Sequence, residues 1–500
     1  MRGAQEHPLA LFVLVLLFVM IIAAMRGWFG KGQHPQQHNA RNSSATWARA
    51  HEIRDLLTKN PSQDRVILGA FDNTMLAVPE RRSVAVIAPT GRGKTPKVVV
   101  PAALRATGPM VLTSVKTDAL ALTIDHRRTV GPVWVFDPTG ATGQPSCTWS
   151  PLSSAGDYAG ALKAASWLVE SSKVGGKGVE DQKFWDQLGK NLLAPMLFAA
   201  ARSGRQMDAV VDWILFQSTN ELDGLLEGLG DRTALGHWES IKALPERTRG
   251  SVFATAQNIL DPFGHPEIRD AVTTSSSREQ FDPDRLLDEN GTLYIVAPQA
   301  DQELFTPIFE SLVNAVVRVI ERRSAPTGLP IDPPLLLMLD EAANCAPLRR
   351  LDKLASAGAG QGIILVSIWQ DEGQIEEIYG HNRARTVLAN HTARVYLAGV
   401  SDPETLDHLS TLIGNHMVRH VSRSTDARGG RSSSADWKEE RVAPPEYLRQ
   451  LPDDTAIVVL GRFKPIRLTM VGWYEDKTLR ARVNAQTARS FDRVYAGAKR

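Results

Sequence analysis

Cysteine is almost missing from this chain: 500 residues hold only Cys147 and Cys345. Two thiols build no disulfide framework, which fits a chain whose bulk sits in a reducing compartment. An excess of charge of either sign is missing too, since 57 basic and 55 acidic residues leave +2. A molecule that is basic throughout is excluded, so contact with a polyanion must come from a local lining of a groove or channel. No internal repeat is visible. Long apolar runs are absent except for one, Leu9 to Met25. Its length is close to the roughly 17 to 25 residues with which a helix spans a bilayer. Arg26, Lys31, Arg41 and Arg49 follow it against Arg2 before it, so the positive-inside rule places the C-terminal side in the cytoplasm. The expectation is a single transmembrane anchor in the inner or plasma membrane rather than a cleaved signal peptide.

What is present begins with the strand-like run Val84-Ala85-Val86-Ile87 feeding into Ala88-Pro89-Thr90-Gly91-Arg92-Gly93-Lys94-Thr95. Apart from Ala88 in place of glycine, this is a phosphate-binding loop of the form G-x-x-x-x-G-K-[ST]. Backbone N–H groups of Pro89 to Thr95, proline apart, would cradle phosphates at the start of the following helix. Lys94 would reach the β- and γ-phosphates and the Thr95 hydroxyl would ligate Mg²⁺, so ATP with Mg²⁺ is the expected cofactor pair. Alanine at 88 adds one methyl group, and Pro96 falls where a helix's first turn tolerates proline.

Along the chain, strands alternate with helices, which predicts an α/β fold with a parallel sheet and ligands at the carboxyl ends of its strands. Residues 1–27 read as the anchor and 28–64 as a polar linker. Residues 65–152 read as the first part of a nucleotide-binding domain, with a small strand pair over Asp64 to Pro79, strands Pro109 to Thr113 and Val133 to Phe136, and a helix over Lys97 to Ala106. Across 153–276 helical periodicity takes over, in Tyr158 to Glu170, Asp181 to Ala201, Ala209 to Gln217, Asn220 to Leu229 and Gly250 to Leu260, predicting an inserted all-α domain. The strand pattern resumes at Thr292 to Val296, so 277–475 reads as the second part and 476–500 as a C-terminal tail. Ser422 to Asp436, rich in serine, arginine and glycine, reads as a mobile surface loop.

The apolar strand Leu335-Leu336-Leu337-Met338-Leu339 closes with Asp340-Glu341. A buried strand ending in two acids points both at the phosphates. Asp340 would hold Mg²⁺ through its water shell and Glu341 would polarise the attacking water. Gln370 ends the apolar strand Gly362 to Ile368 and is placed to feel the γ-phosphate. Lys116 and Asp118, after the second strand, read either as site or pore residues or as solvated loop charges.

Several strings fall into one order: Ala88 to Thr95, Ser114-Val115-Lys116-Thr117-Asp118, Phe136-Asp137-Pro138-Thr139-Gly140, Trp149-Ser150-Pro151-Leu152 and Phe184-Trp185. They continue with Leu337 to Asn344, Trp369-Gln370 with Gln374 to Gly380, Ser401-Asp402-Pro403-Glu404-Thr405, and Leu451-Pro452-Asp453-Asp454. Over about residues 65 to 475 the chain resembles the type IV secretion coupling proteins, the TraG/TraD-type ATPases of conjugative DNA transfer. The resemblance implies a RecA-like P-loop NTPase domain with the inserted all-α domain taking part in substrate choice; the single N-terminal transmembrane helix is the reading of the apolar run itself. It further implies a homo-hexameric ring at the inner membrane that drives single-stranded DNA with its attached relaxase into the type IV secretion channel. It carries the γ-phosphate role to Lys94, Mg²⁺ to Thr95 and Asp340, and water activation to Glu341.

Three departures stand against the family pattern. Members have two or more spans where this chain has one, and Ala88 replaces the first glycine. An arginine expected before the strand bearing the glutamine is replaced by Gly358-Ala359-Gly360-Gln361-Gly362, leaving Arg349, Arg350, Arg383 or Arg385 to serve a neighbour's site. Two other readings stay open: a related ring motor for double-stranded DNA or secreted protein, and a nucleotide-binding docking platform with weak hydrolysis.

Overall fold

The computed structural model describes residues 44–172, 180–274, 277–298, 300, 302–425 and 431–497. The apolar run Leu9 to Met25, read as the anchor, lies outside the described residues, and among the described residues no helix is long and apolar enough to cross a membrane.

Aliphatic runs dictate the architecture. β4 (Val84–Ile87), β5 (Met110–Ser114), β7 (Thr292–Val296), β8 (Leu335–Leu339) and β9 (Ile363–Trp369) are buried at every position, as strands covered by helices on both faces must be. With β6 (Val133–Phe136) and β10 (Ala393–Leu397) they form a parallel array in the order β10-β4-β9-β8-β5-β7-β6. Five antiparallel strands extend the β10 side: β13 (Thr455–Leu460), β14 (Ile466–Thr469), then β2 (Ile67–Phe71), β3 (Thr74–Ala77) and β1 (Leu57–Thr58), completing twelve strands. Val86, Leu112, Met338, Val366, Val395 and Val458 share one core cluster along the sheet. The registers Ile87↔Trp369 and Leu339↔Ser367 bring the carboxyl ends of β4, β9 and β8 to one edge.

After the loop the chain enters a wide helical turn, Thr95–Val99, and only then an α-helix, Val100–Arg105. The sequence predicts one helix from Lys97, but Pro101 has no N–H for the carbonyl four residues back. The wide turn, closed by Val100 N–H on Thr95 O, absorbs that gap.

Between β6 and β7 the regular elements are helices, and they belong to the same unit as the sheet. Asp157 caps Tyr158–Ser171 by accepting from Gly160 N, and Asp231 caps Arg232–Lys242, a helix the periodicity reading misses. Trp167, Leu197, Trp213, Leu222, Trp238 and Phe253 are buried among them. Trp213 and Trp238 satisfy their indole N–H groups on Glu221 and Asp223, at 2.7 and 2.6 Å.

The stretches read as linker and tail both contain core residues. Within the predicted linker, Ile53 and Leu56 are buried in the sheet's core cluster. Within the predicted tail, Leu479 on helix Lys477–Arg482, Ala488 on helix Ala485–Gly497 and Val483 between them pack with Val100, Leu104 and Leu122.

Residues 414–442, with 44–46, form a second unit. Here the predicted mobile loop Ser422 to Asp436 is largely an antiparallel hairpin of β11 (Asn415–Thr425) and β12 (Arg431–Arg441), in register from Asn415↔Arg441 to Thr425↔Arg431. Polar composition hides the strands. What the composition reading passes over is the period-two placement of Met417, Val421 and Trp437 on one face.

Candidate functional site

The loop Ala88–Thr95 leaves the end of β4, fixed at its start by Ala88 N–H on Trp369 O at 2.8 Å. Gly91 and Gly93 have φ of 78° and 81°, a conformation that glycine adopts without a Cβ penalty. Ala88 is fully buried and is not among the residues of positive φ, so the position tolerates a methyl group where the motif has glycine. Lys97 N–H closes the turn on Gly93 O at 2.9 Å.

Lys94 and Thr95 are both buried. Lys94 Nζ donates to Glu341 Oε1 at 2.6 Å, joining the loop to the carboxyl end of β8. Glu341 sits at φ 52°, ψ 56°, a left-handed geometry that a non-glycine residue keeps only where its surroundings hold it. Its carbonyl accepts from Asn344 and Cys345 N–H, and Asn344 Nδ2 donates to its Oε2 at 3.3 Å.

Asp340 is buried beside it, with Oδ1 lacking a hydrogen-bond partner and Oδ2 accepting from Ser114 Oγ at 3.4 Å. Burial pushes its carboxyl up to about 6; Lys94 opposes the shift, while Glu341 and Asp118 add to it. A buried carboxylate oxygen without a donor, next to the Thr95 loop, suits the water shell of a hard divalent cation. No group of three or more metal-ligating side chains occurs among the described residues, so phosphate oxygens and water would complete such a shell.

Gln370 lies at the end of β9, between the strands that carry Lys94 and Asp340; its N–H donates to Gln374 Oε1 at 3.0 Å. Of the two loop charges left open by sequence, Asp118 acts electrostatically on Asp340, whereas Lys116 is exposed with its N–H on Ser114 Oγ. The arginines divide similarly. Arg383 is committed to Asp352 at 2.9 Å, to Arg349 O and to the Tyr379 ring; Arg349 is half-buried near Glu310; Arg350 and Arg385 are exposed.

Two supporting residues of the site, Asp453 and Ser114, escape sequence reasoning. Arg92 Nη1 meets Asp453 Oδ1 at 2.8 Å and Lys97 Nζ donates to Asp453 O at 2.9 Å, so the Leu451 to Asp454 string braces the loop from the β13 side. Ser114 supplies the only hydrogen bond to the Asp340 carboxylate among the described residues. Both stand in strings visible in the sequence, but nothing in a string says which side chain it meets.

A strand, a glycine-hinged loop, a buried lysine and a helix, faced by paired acids at a nearby strand end, define a P-loop nucleotide-binding fold. The chain belongs to the family described as type IV secretory system conjugative DNA transfer, which its residues 36–493 match. It is similar to the conjugal transfer protein TraG of Agrobacterium fabrum, 23% identical over 411 residues that cover 79% of this chain and 61% of TraG. It is also similar to protein VirD4 of that organism, 25% identical over 464 residues covering 89% and 67% of the two chains. The chain thus spans about three fifths of the length of the TraG relatives it matches. Among solved structures, the unbound bacterial conjugative coupling protein TrwBdeltaN70 superposes with TM-score 0.64 at 21% identity, over 86% of this chain and 92% of that one. TrwB in complex with ADP and Mg²⁺ superposes with TM-score 0.62 at 20% identity, over 86% and 94%.

Proposed function

We propose that this chain is a membrane-anchored coupling ATPase, which recruits a relaxase–DNA substrate and drives its transfer through a type IV secretion channel. The observation that carries the hydrolytic part is the pairing of Lys94 with Glu341 beside the orphaned Asp340 oxygen. Family membership supports the transfer part, and the TrwB complex with ADP and Mg²⁺ supports the ligand pair.

In this reading the loop N–H groups and Lys94 bind the triphosphate, and Lys94 exchanges Glu341 for the phosphates. Thr95 and Asp340 would hold Mg²⁺, which neutralises charge on the β- and γ-phosphate oxygens. Glu341, released from the lysine, orients the attacking water and accepts its proton. Gln370 senses loss of the γ-phosphate and passes the change into β9. The helices over 153–276 act as the substrate-choosing all-α domain, Leu9 to Met25 as a single inner-membrane span, and the assembly as a homo-hexamer with an arginine given to the neighbouring site.

Phosphate release with and without single-stranded DNA tests the reading, with Lys94→Ala as the baseline. Turnover that exceeds the variant's and rises with single strands supports a DNA motor. Turnover no higher than the variant's overturns it in favour of a docking platform, and stimulation by duplex alone assigns the other cargo.

A further inference from the structure

The hairpin β11–β12 carries a two-faced pattern that the ATPase reading does not use. By its register, His416, His420, Lys438 and Glu440 share one face, and His420 pairs there with Glu440. On the other, Met417, Val421 and Trp437 are 41%, 50% and 50% exposed, with Arg419 directly across from Trp437 and Glu439, which accepts from Asn415 Nδ2 at 3.1 Å, directly across from Met417. A lone two-stranded hairpin is only marginally stable in water, so an apolar face of this kind calls for cover. A tryptophan and an arginine at facing positions are the combination that settles at a membrane–water interface, apolar body inward and charge among headgroups.

The chain itself says which cover is within reach. Ala45 N–H donates to Asn415 O at 2.9 Å and Met417 N–H to Ser44 Oγ at 3.2 Å, so the segment leading from the N-terminus meets the base of β11. Residues 26–43 separate that point from the apolar run; they hold Arg26, Lys31 and Arg41 and no acid. Strands of eleven residues present a face about 36 Å long. Between 419 and 431 the sequence has Arg419, Arg423, Arg428 and Arg431 against Asp426 alone.

The geometry points to the Met417–Val421–Trp437 face as a docking surface for an anionic lipid bilayer, against which the hairpin lies with Arg419 among the headgroups. This rests on the anchor reading of Leu9 to Met25, which brings the bilayer within reach.

The test uses the full chain with Val421→Cys carrying an environment-sensitive fluorophore; Cys147 and Cys345 are buried and stay unlabelled. Lys438→Cys, on the opposite face, is the comparator. The proteins are placed in vesicles of phosphatidylcholine with or without phosphatidylglycerol, and quenching by spin-labelled lipid is read alongside resistance to alkaline extraction. The expected result is strong quenching at 421 and little at 438, dependent on the anionic lipid and weakened by salt. Arg419→Gln should reduce the docked population roughly fivefold. A 421 label as water-exposed as the 438 label, in a chain that resists extraction, overturns the docking and leaves the anchor standing. A chain released by alkali fails the anchor reading instead, while quenching before extraction still decides the docking. A 421 label already shielded in amphipol without lipid means a protein partner or second copy covers the face, and overturns the proposal.

Discussion

Lys94 Nζ and Glu341 Oε1 lie 2.6 Å apart, although 247 residues separate them in the chain. The pair is largely out of water, with side chains 9% and 10% exposed, so each charge depends on the other for compensation. The lysine that should meet phosphate thus holds the acid that should meet water. A triphosphate must displace this contact, and part of its binding energy is consumed in doing so.

Glu341→Gln should accordingly separate binding from turnover. Removing the carboxylate frees Lys94 of a charge-assisted hydrogen bond that contributes about 1.5 kcal/mol, so nucleotide affinity should rise roughly tenfold. Loss of the base should lower turnover by about 10² to 10⁴. Equilibrium binding of a fluorescent ATP analogue and steady-state phosphate release read the two effects. Turnover equal to that of the unmodified protein would remove Glu341 from the role of base.

Asp340 makes a different demand. Its Oδ1 is buried without a partner, and burial already disfavours its charged form, a cost that a divalent cation nearby would relieve. Asp340→Asn keeps the shape and the Ser114 contact while removing that charge. In EDTA the two proteins should bind ATP alike. With Mg²⁺ added, the unmodified protein should gain affinity over the variant by roughly 10- to 100-fold, as for disruption of a metal's outer shell. An equal gain in both, measured by calorimetry, would place the cation elsewhere.

How much of this is legible in the sequence depends on the range of the interaction. β8 and β4 are readable because a strand buried on both faces must be a continuous apolar run, and the loop is readable because glycines 91 and 93 mark backbone that other residues avoid. β14 is not readable, since Ile-Arg-Leu-Thr alternates over only four residues with one face exposed. The hairpin is missed because serine and arginine resemble a disordered composition when counted, and resemble a strand only when their positions are taken two by two. The contacts that define the site are the least legible of all. That Lys94 meets Glu341, or Arg92 meets Asp453, depends on strand order across the whole sheet, and no local pattern encodes it.

Behind Gln370 lies a buried chain of polar groups that should show itself in acid. Trp369 Nε1 donates to Ser367 Oγ at 2.9 Å, Ser367 Oγ lies 3.0 Å from His391 Nε2, and His391 Nδ1 lies 2.8 Å from Val387 O. Since Val387 O can only accept, the proton belongs on Nδ1, which leaves Nε2 to accept from Ser367 and lets Ser367 accept from Trp369. All donors are paired only while the imidazole is neutral. Burial accordingly pushes His391 down to about 4, with Arg394 adding to the effect and the Val387 contact opposing it. The folded value lies below the ordinary one near 6.5, so between those limits the unfolded chain binds more protons. Stability from this group therefore rises with pH across that window and is lost as pH falls through it, by about 3 kcal/mol at most. His391→Gln, which keeps an acceptor for Ser367 but does not titrate, should show a smaller drop in urea midpoint between pH 7 and pH 4.5 than the unmodified protein. Equal drops would mean that other groups carry the acid sensitivity; Asp340 and Glu310 are not among them, because their raised values make the folded state gain as pH falls. A variant that keeps its midpoint but loses DNA-stimulated turnover would show that the chain positions Gln370 through Trp369, beyond supporting the fold.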